Sequence, residues 1–162
     1  MGMSIDMRIG LGVDAHRFGP GRPLMIGCIQ LDHPEGLVGH SDGDVVAHAL
    51  CDAILSAAGL PDIGALFPPG DDEWEGASGR LLLGLVMQRV RQAGFGVVNA
   101  HVVVMCERPR ISRHREAMED ALSAVVGARV TVHATTTEQM GALGRGEGIG
   151  AQAVALLNRP AA

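Results

Sequence analysis

The run VVNAHVVVMC at residues 97–106 constrains the fold most, because a stretch so rich in β-branched side chains favours a strand over a helix. A helical pattern follows from Ser112 to about Val126, just before Gly127, and a second strand pattern covers 129–134. The chain must therefore accommodate a strand-helix-strand unit, which predicts a mixed α and β fold.

The remaining elements are consistent with one compact unit. Strands at 7–14 and 24–31 are joined by the Gly/Pro-rich turn RFGPGRP and are expected to form a hairpin. The segment 149–157 permits a strand or a short helix, and we assign it to a strand. Further helices are predicted from Ser41 to about Ala58 and from Ser78 to about Ala93. We predict the α+β class, with one domain over residues 1–162 and helices packed on one face of a mixed β-sheet.

Composition excludes several functional classes. The longest apolar run, LLLGLVM at 81–87, is far shorter than the ~18 residues of a membrane span, so we expect no membrane partner. A net charge of −5 and only four aromatic residues argue against nucleic-acid binding. The three cysteines form no C-x-x-C pair, and no targeting segment is visible, which together favour a reducing cytoplasm.

The segment GHSDGDVVAH, residues 39–48, concentrates polar residues at a helix start. Ser41 followed by Asp44 has the spacing of a capping box. Asp44, His48 and Asp52 then recur every four residues on one helix face. A solvated face is one explanation. However, this stripe lacks Lys, Arg and Glu and is flanked by Cys51 and Leu55, which favours a functional face.

Asp14 and His16 lie two residues apart near a predicted strand end, so both side chains point to one side of the sheet. Alone they would be interpreted as a hydrogen-bonded pair. Together with His48 they would make a site of two histidines and one carboxylate, with a position left for water or substrate. Zinc suits this donor set, manganese and iron remain alternatives, and Asp52 is a candidate outer partner.

Two further segments contain candidate anion-binding groups. In ATTTEQMGALGRGEG, residues 134–148, threonine hydroxyls and Arg145 could bind phosphate while Glu138 holds magnesium, although a flexible polar loop has the same composition. In CERPRISRH, residues 106–114, Arg108 and Arg110 precede a helix start, which favours anions, but ordinary surface arginines are the favoured explanation.

Six motifs occur in a fixed order: DAH, HSDGDVVAH, PDIGALFP, ERPR, ATTTE and GRGEG. With them the chain resembles the 2-C-methyl-D-erythritol 2,4-cyclodiphosphate synthase family from about Arg8 to Leu157. The resemblance implies a lyase of the non-mevalonate isoprenoid pathway that cyclises 4-diphosphocytidyl-2-C-methyl-D-erythritol 2-phosphate and releases CMP. It also implies a homotrimer with active sites between subunits. A polar helix face flanked by Cys51 and Leu55 would be expected to need such a covering neighbour.

The resemblance assigns roles to individual residues. Zinc ligands fall on Asp14, His16 and His48, and Glu138 would bind magnesium or manganese together with the substrate diphosphate. His40 and Thr136 would stabilise the transition state. The implied substrate contacts include those residues except His48 and extend to Ser41, Asp62, Gly64, Phe67, Cys106, Pro109, Arg110, Ile111, Ser112, Thr135, Thr137 and Arg145.

Some positions depart from the family pattern. Pro69, Glu75 and Gly79 replace polar or basic residues, Arg110 replaces lysine, and Gln139 and Ala142 replace lysine and phenylalanine. Two other functions share the same metal ligands. One is a metal-dependent phosphohydrolase that activates water. The other is a non-catalytic trimeric scaffold that holds isoprenoid diphosphates.

Overall fold

A computed structural model of the chain describes residues 5–160. Its strands are β1 (Ile5–Gly19), β2 (Leu24–Ile26), β3 (Ile29–Leu31), β4 (Gly36–Leu37), β5 (Gly96–Met105), β6 (Arg129–Thr135) and β7 (Gly148–Pro160). The main sheet has five strands in the order β4-β1-β7-β5-β6, and β2 and β3 form a separate two-stranded sheet. Strands β5 and β6 pair in parallel, whereas β1 and β7, β7 and β5, and β1 and β4 pair antiparallel. The mixed sheet is therefore confirmed.

The helices cover one face of this sheet. They are α1 (Val45–Ala58), α2 (Ile63–Leu66), α3 (Gly79–Gln92), α4 (Arg115–Val126) and α5 (Gly141–Gly144), with 3-10 turns at Asp72–Trp74 and Ile111–His114. Helix α1 lies directly on β1, since a Cβ added at Gly10 or Gly12 would come within 2.0 Å of a main-chain oxygen of α1. Glycine is required at both positions for this close approach.

Most sequence-predicted elements are confirmed. The predicted strand-helix-strand unit is β5-α4-β6, and the tail is strand β7. Gly59 and Gly127 end α1 and α4 in left-handed conformations, as glycine permits, and the Ser78 hydroxyl accepts from the Leu81 N–H at the start of α3. None of the helices between residues 5 and 160 has the length and hydropathy that a membrane span requires.

The predicted hairpin of 7–14 with 24–31 is wrong. Strand β1 continues to Gly19 and pairs with β7 and β4 instead. The 24–31 segment turns back on itself at Gly27 and Cys28, both at positive φ, so β2 pairs with β3. A turn of this kind lies inside an otherwise apolar run, which explains why the run looked like one strand.

The predicted capping box is also wrong. Asp44 itself is the N-cap of α1, and its Oδ1 accepts from the Val46 and Ala47 N–H groups. The same buried carboxylate accepts from the N–H groups of Gly27 and Cys28 at the β2–β3 turn. Four main-chain N–H groups thus compensate the burial of this carboxylate, which ties α1 to the small sheet.

Helix α1 is buried on nearly every side. Asp44 and His48 are buried, so the alternative of a solvated face does not apply to them. Cys51 and Leu55 are fully buried within this chain, so they do not need a covering neighbour. A row of exposed apolar side chains lies instead on the outer side of β1, where Met7, Ile9, Leu11 and Val13 are 50%, 73%, 56% and 59% exposed.

Candidate active site

Asp14, His16 and His48 converge as the sequence predicted. In β1 the odd-numbered residues face outward, so Asp14 and His16 point toward the helices, where α1 contributes His48. The Asp14 Oδ2 atom lies 3.1 Å from His16 Nε2 and 3.0 Å from His48 Nδ1. One donor atom from each residue lies within 4.8 Å of the others, a group that could hold a metal ion.

The remaining nitrogen of each histidine is already bonded. His16 Nδ1 donates to the Val38 carbonyl at 2.6 Å, and a hydrogen bond of 3.1 Å joins His48 Nε2 to Ser41 Oγ. These outer bonds orient His16 Nε2 and His48 Nδ1 toward Asp14, as the outer partners of metal ligands do. Two imidazole nitrogens and one carboxylate oxygen match a catalytic zinc site with an open position.

The electrostatics of this group favour a charged carboxylate. Burial raises the pKa of Asp14, but the hydrogen bonds from His16 and His48 outweigh it and hold this pKa well below its usual value. The bond to Asp14 raises the pKa of His16, against the opposing effect of burial. Asp14 is therefore ionised at neutral pH, the form in which a carboxylate binds metal.

A cavity of about 350 Å³ opens beside these three residues. It brings together seven predicted site residues: Asp14, His16, His40, Ser41, His48, Gly64 and Phe67. Asp62 is not among its lining residues, because its Oδ1 caps α2 by accepting from the Ala65 N–H at 2.8 Å. We call this cavity the metal pocket.

Several residues of the metal pocket were not predicted. Its walls also include Asp52, Ile63, Pro69, Trp74 and Leu82. Of these, Asp52 was considered only as an outer partner of the metal ligands, and Pro69 only as a departure from the family pattern. Ile63, Trp74 and Leu82 are scattered in sequence, and their burial pattern is set by tertiary packing.

The far wall of the metal pocket is fastened by backbone bonds. Asp52 Oδ1 accepts from the Ile63 N–H at 2.8 Å and so holds the start of α2. His40 Nε2 donates to the Asp71 carbonyl at 3.1 Å. The rings of Phe67 and Trp74 pack edge to face, with 4.9 Å between their centroids. The segment after α2 therefore rests on His40 and closes one side of the pocket.

A second cavity of about 430 Å³ lies where the parallel strands β5 and β6 end. Its walls include Cys106, Glu107, Pro109, Arg110, Ile111 and Ser112 from the predicted stretch 106–112, the predicted Thr135 and Thr136, and the unpredicted Ala134. The Cys106 N–H donates to the Thr135 carbonyl at 3.1 Å, which joins the two strand ends. We call this cavity the strand-end pocket.

Three predicted residues lie in the loop beyond the strand-end pocket and do not line it: Thr137, Glu138 and Arg145. The Thr136 hydroxyl donates to Glu138 Oε1 at 3.0 Å, and Glu138 has positive φ, as does Gln139. Arg145 donates to Glu147 Oε1 at 2.7 Å on the surface. Glu138 and Arg145 thus bond to residues that lie only two positions away in the sequence.

The two pockets share no lining residue, although they lie at the same edge of the sheet. Asp14 on β1 is level with Ala151 on β7, Val104 on β5 and Ala134 on β6. Three strand spacings separate β1 from β6, or about 14 Å at about 4.8 Å per strand. Each pocket is therefore a separate concave surface within one chain.

Comparisons with known proteins agree with this geometry. The YgbB family profile matches residues 7–158. A 2-C-methyl-D-erythritol 2,4-cyclodiphosphate synthase from Xanthomonas oryzae is 47% identical over 99% of this chain and 100% of its own length. A solved 2C-methyl-D-erythritol-2,4-cyclodiphosphate synthase in its CDP-bound form superposes with a TM-score of 0.84 at 38% identity, covering 93% of this chain and 99% of that one. A bifunctional IspDF from Campylobacter jejuni gives a TM-score of 0.92 at 39% identity, over 96% of this chain and 43% of that one.

Proposed function

The chain belongs to the YgbB family, and from this premise we propose how its residues act. Proteins similar to the chain include 2-C-methyl-D-erythritol 2,4-cyclodiphosphate synthases. The chain is a lyase of the non-mevalonate isoprenoid pathway that converts 4-diphosphocytidyl-2-C-methyl-D-erythritol 2-phosphate to 2-C-methyl-D-erythritol 2,4-cyclodiphosphate and CMP. The observation that supports this activity most is the convergence of Asp14, His16 and His48 beside an open cavity.

The reaction needs no protein nucleophile. An oxygen of the substrate's 2-phosphate forms a new bond to the β-phosphorus, while the bond from that phosphorus to the CMP oxygen breaks and CMP leaves with the electron pair. The protein must orient these groups and stabilise the negative charge that shifts toward the leaving oxygen. Both tasks are suited to a pre-formed polar cavity.

We propose that Asp14, His16 and His48 bind zinc, and that Glu138 binds magnesium or manganese together with the substrate diphosphate. Such ions, when bound, neutralise phosphate charge as Lewis acids. The fit of the first group rests on its donor set and on the outer bonds that orient both imidazoles.

The protein's own groups have distinct proposed tasks. His40 donates Nε2–H to Asp71, which leaves the Nδ1 edge of the ring for the substrate. Gly64 and Phe67, which line the metal pocket, would contact the methylerythritol unit together with Asp62, the N-cap residue of α2. The strand-end pocket would hold the cytidine diphosphate, with Thr136 stabilising the transition state and Arg145 exchanging Glu147 for phosphate.

We further propose a homotrimer in which the metal pocket of one copy faces the strand-end pocket of its neighbour. The exposed apolar row Met7, Ile9, Leu11 and Val13 supports an interface on the outer face of the sheet. The absence of shared lining residues supports a site built from two copies. Residues 1–162 would act as one domain, in the cytoplasm, where the free Cys28, Cys51 and Cys106 stay reduced.

The activity is tested by incubating the purified chain with the cytidyl substrate, zinc and magnesium, and following the products by phosphorus NMR. We expect equal amounts of CMP and the cyclic diphosphate. Release of inorganic phosphate would instead indicate a phosphohydrolase, and binding without turnover would indicate a scaffold. Either result would contradict the proposed activity.

A further inference from the structure

Arg22 lies in the turn between β1 and β2 and reaches the loop that enters the metal pocket. Its two terminal nitrogens donate to two main-chain carbonyls, from Nη1 to Gly39 at 2.8 Å and from Nη2 to Ser41 at 2.6 Å. These two carbonyls belong to the residues on either side of His40. The guanidinium of Arg22 therefore bridges the carbonyl groups on either side of His40, which lines the metal pocket.

The bonds of Arg22 are of a kind that fixes geometry. The ion pairs found within residues 5–160 do not include Arg22, so its charge is compensated by these carbonyl dipoles. Charge-assisted hydrogen bonds are stronger than neutral ones, and a planar guanidinium holds two acceptors at a set spacing. A lysine ammonium is a point charge and lacks this fixed fork.

The clamped loop controls side chains of the metal pocket. Ser41 Oγ bonds to His48 Nε2, so the Ser41 backbone position bears on the orientation of a proposed metal ligand. Gly39 packs closely on His16, since a Cβ added there would lie 3.1 Å from the ring atom Cε1. His40 lies between these two residues and faces the same cavity. A small movement of residues 39–41 would thus displace several groups at once.

We propose that Arg22 is a positioning residue for the reaction: its fork across the Gly39 and Ser41 carbonyls holds His40 and Ser41 in their working geometry. This inference rests on the proposed function, because it concerns the same pocket. Arg22 does not line the metal pocket and acts through the loop backbone. Displacement of catalytic groups by about 1 Å is enough to cost about a hundredfold in rate.

The test compares Arg22→Ala and Arg22→Lys with Arg91→Ala in the full chain. Arg91 is a matched control, because it also donates to a main-chain carbonyl, that of Val126, but joins α3 to the end of α4 and lines neither pocket. For each variant we would measure kcat, KM, zinc content and Tm. The Ala variant at position 22 would also be assayed with added methylguanidinium at a non-denaturing concentration.

We expect Arg22→Ala to lower kcat by about 10- to 100-fold with little change in KM, since orienting partners of active-site groups have effects of this size. Methylguanidinium should restore part of that loss, Lys should remain defective, and Arg91→Ala should lower Tm while keeping the wild-type kcat. The inference is overturned if Arg22→Ala keeps the wild-type kcat, or if its loss is matched by Arg91→Ala and is not rescued. Failure of the wild-type chain to release CMP would refute the proposed function instead.

Discussion

The metal pocket and the strand-end pocket differ in how their polar groups are held. In the metal pocket, hydrogen bonds join residues that are far apart in sequence: Asp14 with His48, and His16 with Val38. In and beside the strand-end pocket, the side-chain bonds are local, as between Thr136 and Glu138. The first site is pre-organised by the fold, whereas the second leaves its charged groups free to exchange partners.

Burial explains this difference. His48 is only 7% exposed and lies on a helix that is buried nearly all round, so its ring has little freedom. Thr135, Thr136, Glu138 and Arg145 are exposed at strand and loop ends. Side chains on exposed loops keep rotamer entropy that a ligand or a neighbouring subunit must later restrict. We therefore expect variants of the two pockets to fail in different ways.

The largest effect is expected for His48→Ala in the metal pocket. The variant should lose about one zinc ion per chain, because a site with three protein ligands tolerates the loss of one poorly. Turnover should fall by about a thousandfold or more, since metal stabilisation of phosphate charge contributes several kcal/mol. Metal analysis and CMP release measure the two quantities.

A matched control for this variant is His33→Ala. His33 stacks on Phe18 and lines neither pocket, so its loss should leave zinc content and kcat unchanged. Full zinc content in folded His48→Ala would show that the proposed ligand set is wrong. Circular dichroism would establish that the variant is folded.

A smaller effect is expected for Glu138→Gln beside the strand-end pocket. Zinc should stay bound, because Glu138 does not belong to the group formed by Asp14, His16 and His48. The magnesium concentration for half-maximal turnover should rise by about tenfold, since a neutral amide is a poorer ligand for a hard cation. Glu116→Gln, an exposed change in the first turn of α4, is the control. An unchanged magnesium titration would count against the role of Glu138.

The smallest effect concerns the pH dependence of stability in chelator-treated protein. The hydrogen bond that His16 donates to the Asp14 carboxylate raises the pKa of His16 in the folded state. This contribution is fully present below the unfolded value of about 6.5 and is lost as the pH rises through the raised value. The Tm of the metal-free protein should therefore carry a component that falls as the pH rises above about 6.5.

The contribution of His101 to stability changes with pH in the opposite direction. Burial first, and then electrostatic repulsion from His133, lower the pKa of His101, so its contribution grows as the pH rises. The effect of His16 is isolated by comparing wild type with Asp14→Asn, which should lose the falling component and keep the one from His101. With zinc bound, the wild-type Tm should instead rise with pH, since metal and proton compete for the same nitrogens. Identical pH profiles for metal-free wild type and Asp14→Asn would contradict the coupling of Asp14 with His16.

The sequence predicted the metal pocket better than its surroundings. The two-residue spacing of Asp14 and His16 on a strand implied a shared face, the helix-face pattern indicated His48, and the family motifs added His40 and Ser41. It did not predict that Asp44 rather than Ser41 caps α1, because its carboxylate also binds Gly27 and Cys28 across the fold. Contacts of that kind depend on tertiary structure.

Other features had no local signal. Arg22 lies in a Gly/Pro-rich turn where it resembles any surface arginine, and only the folded loop shows its two carbonyl partners. Ala134 lines the strand-end pocket because β5 and β6 end side by side. The apolar row on β1 alternates with glycines and polar residues that face α1, so its exposure follows from helices covering only one face.

The central claim is that the metal pocket of one copy works with the strand-end pocket of another, and complementation tests it most directly. His48→Ala and Thr136→Ala each disable one pocket and should be nearly inactive alone. After unfolding, mixing in equal amounts and refolding, random assembly in a closed ring pairs two intact pockets at about a quarter of the interfaces. Activity should therefore return to about a quarter of wild type. A mixture no more active than its parents, with subunit exchange shown by light scattering, would place each site within a single chain and contradict the claim.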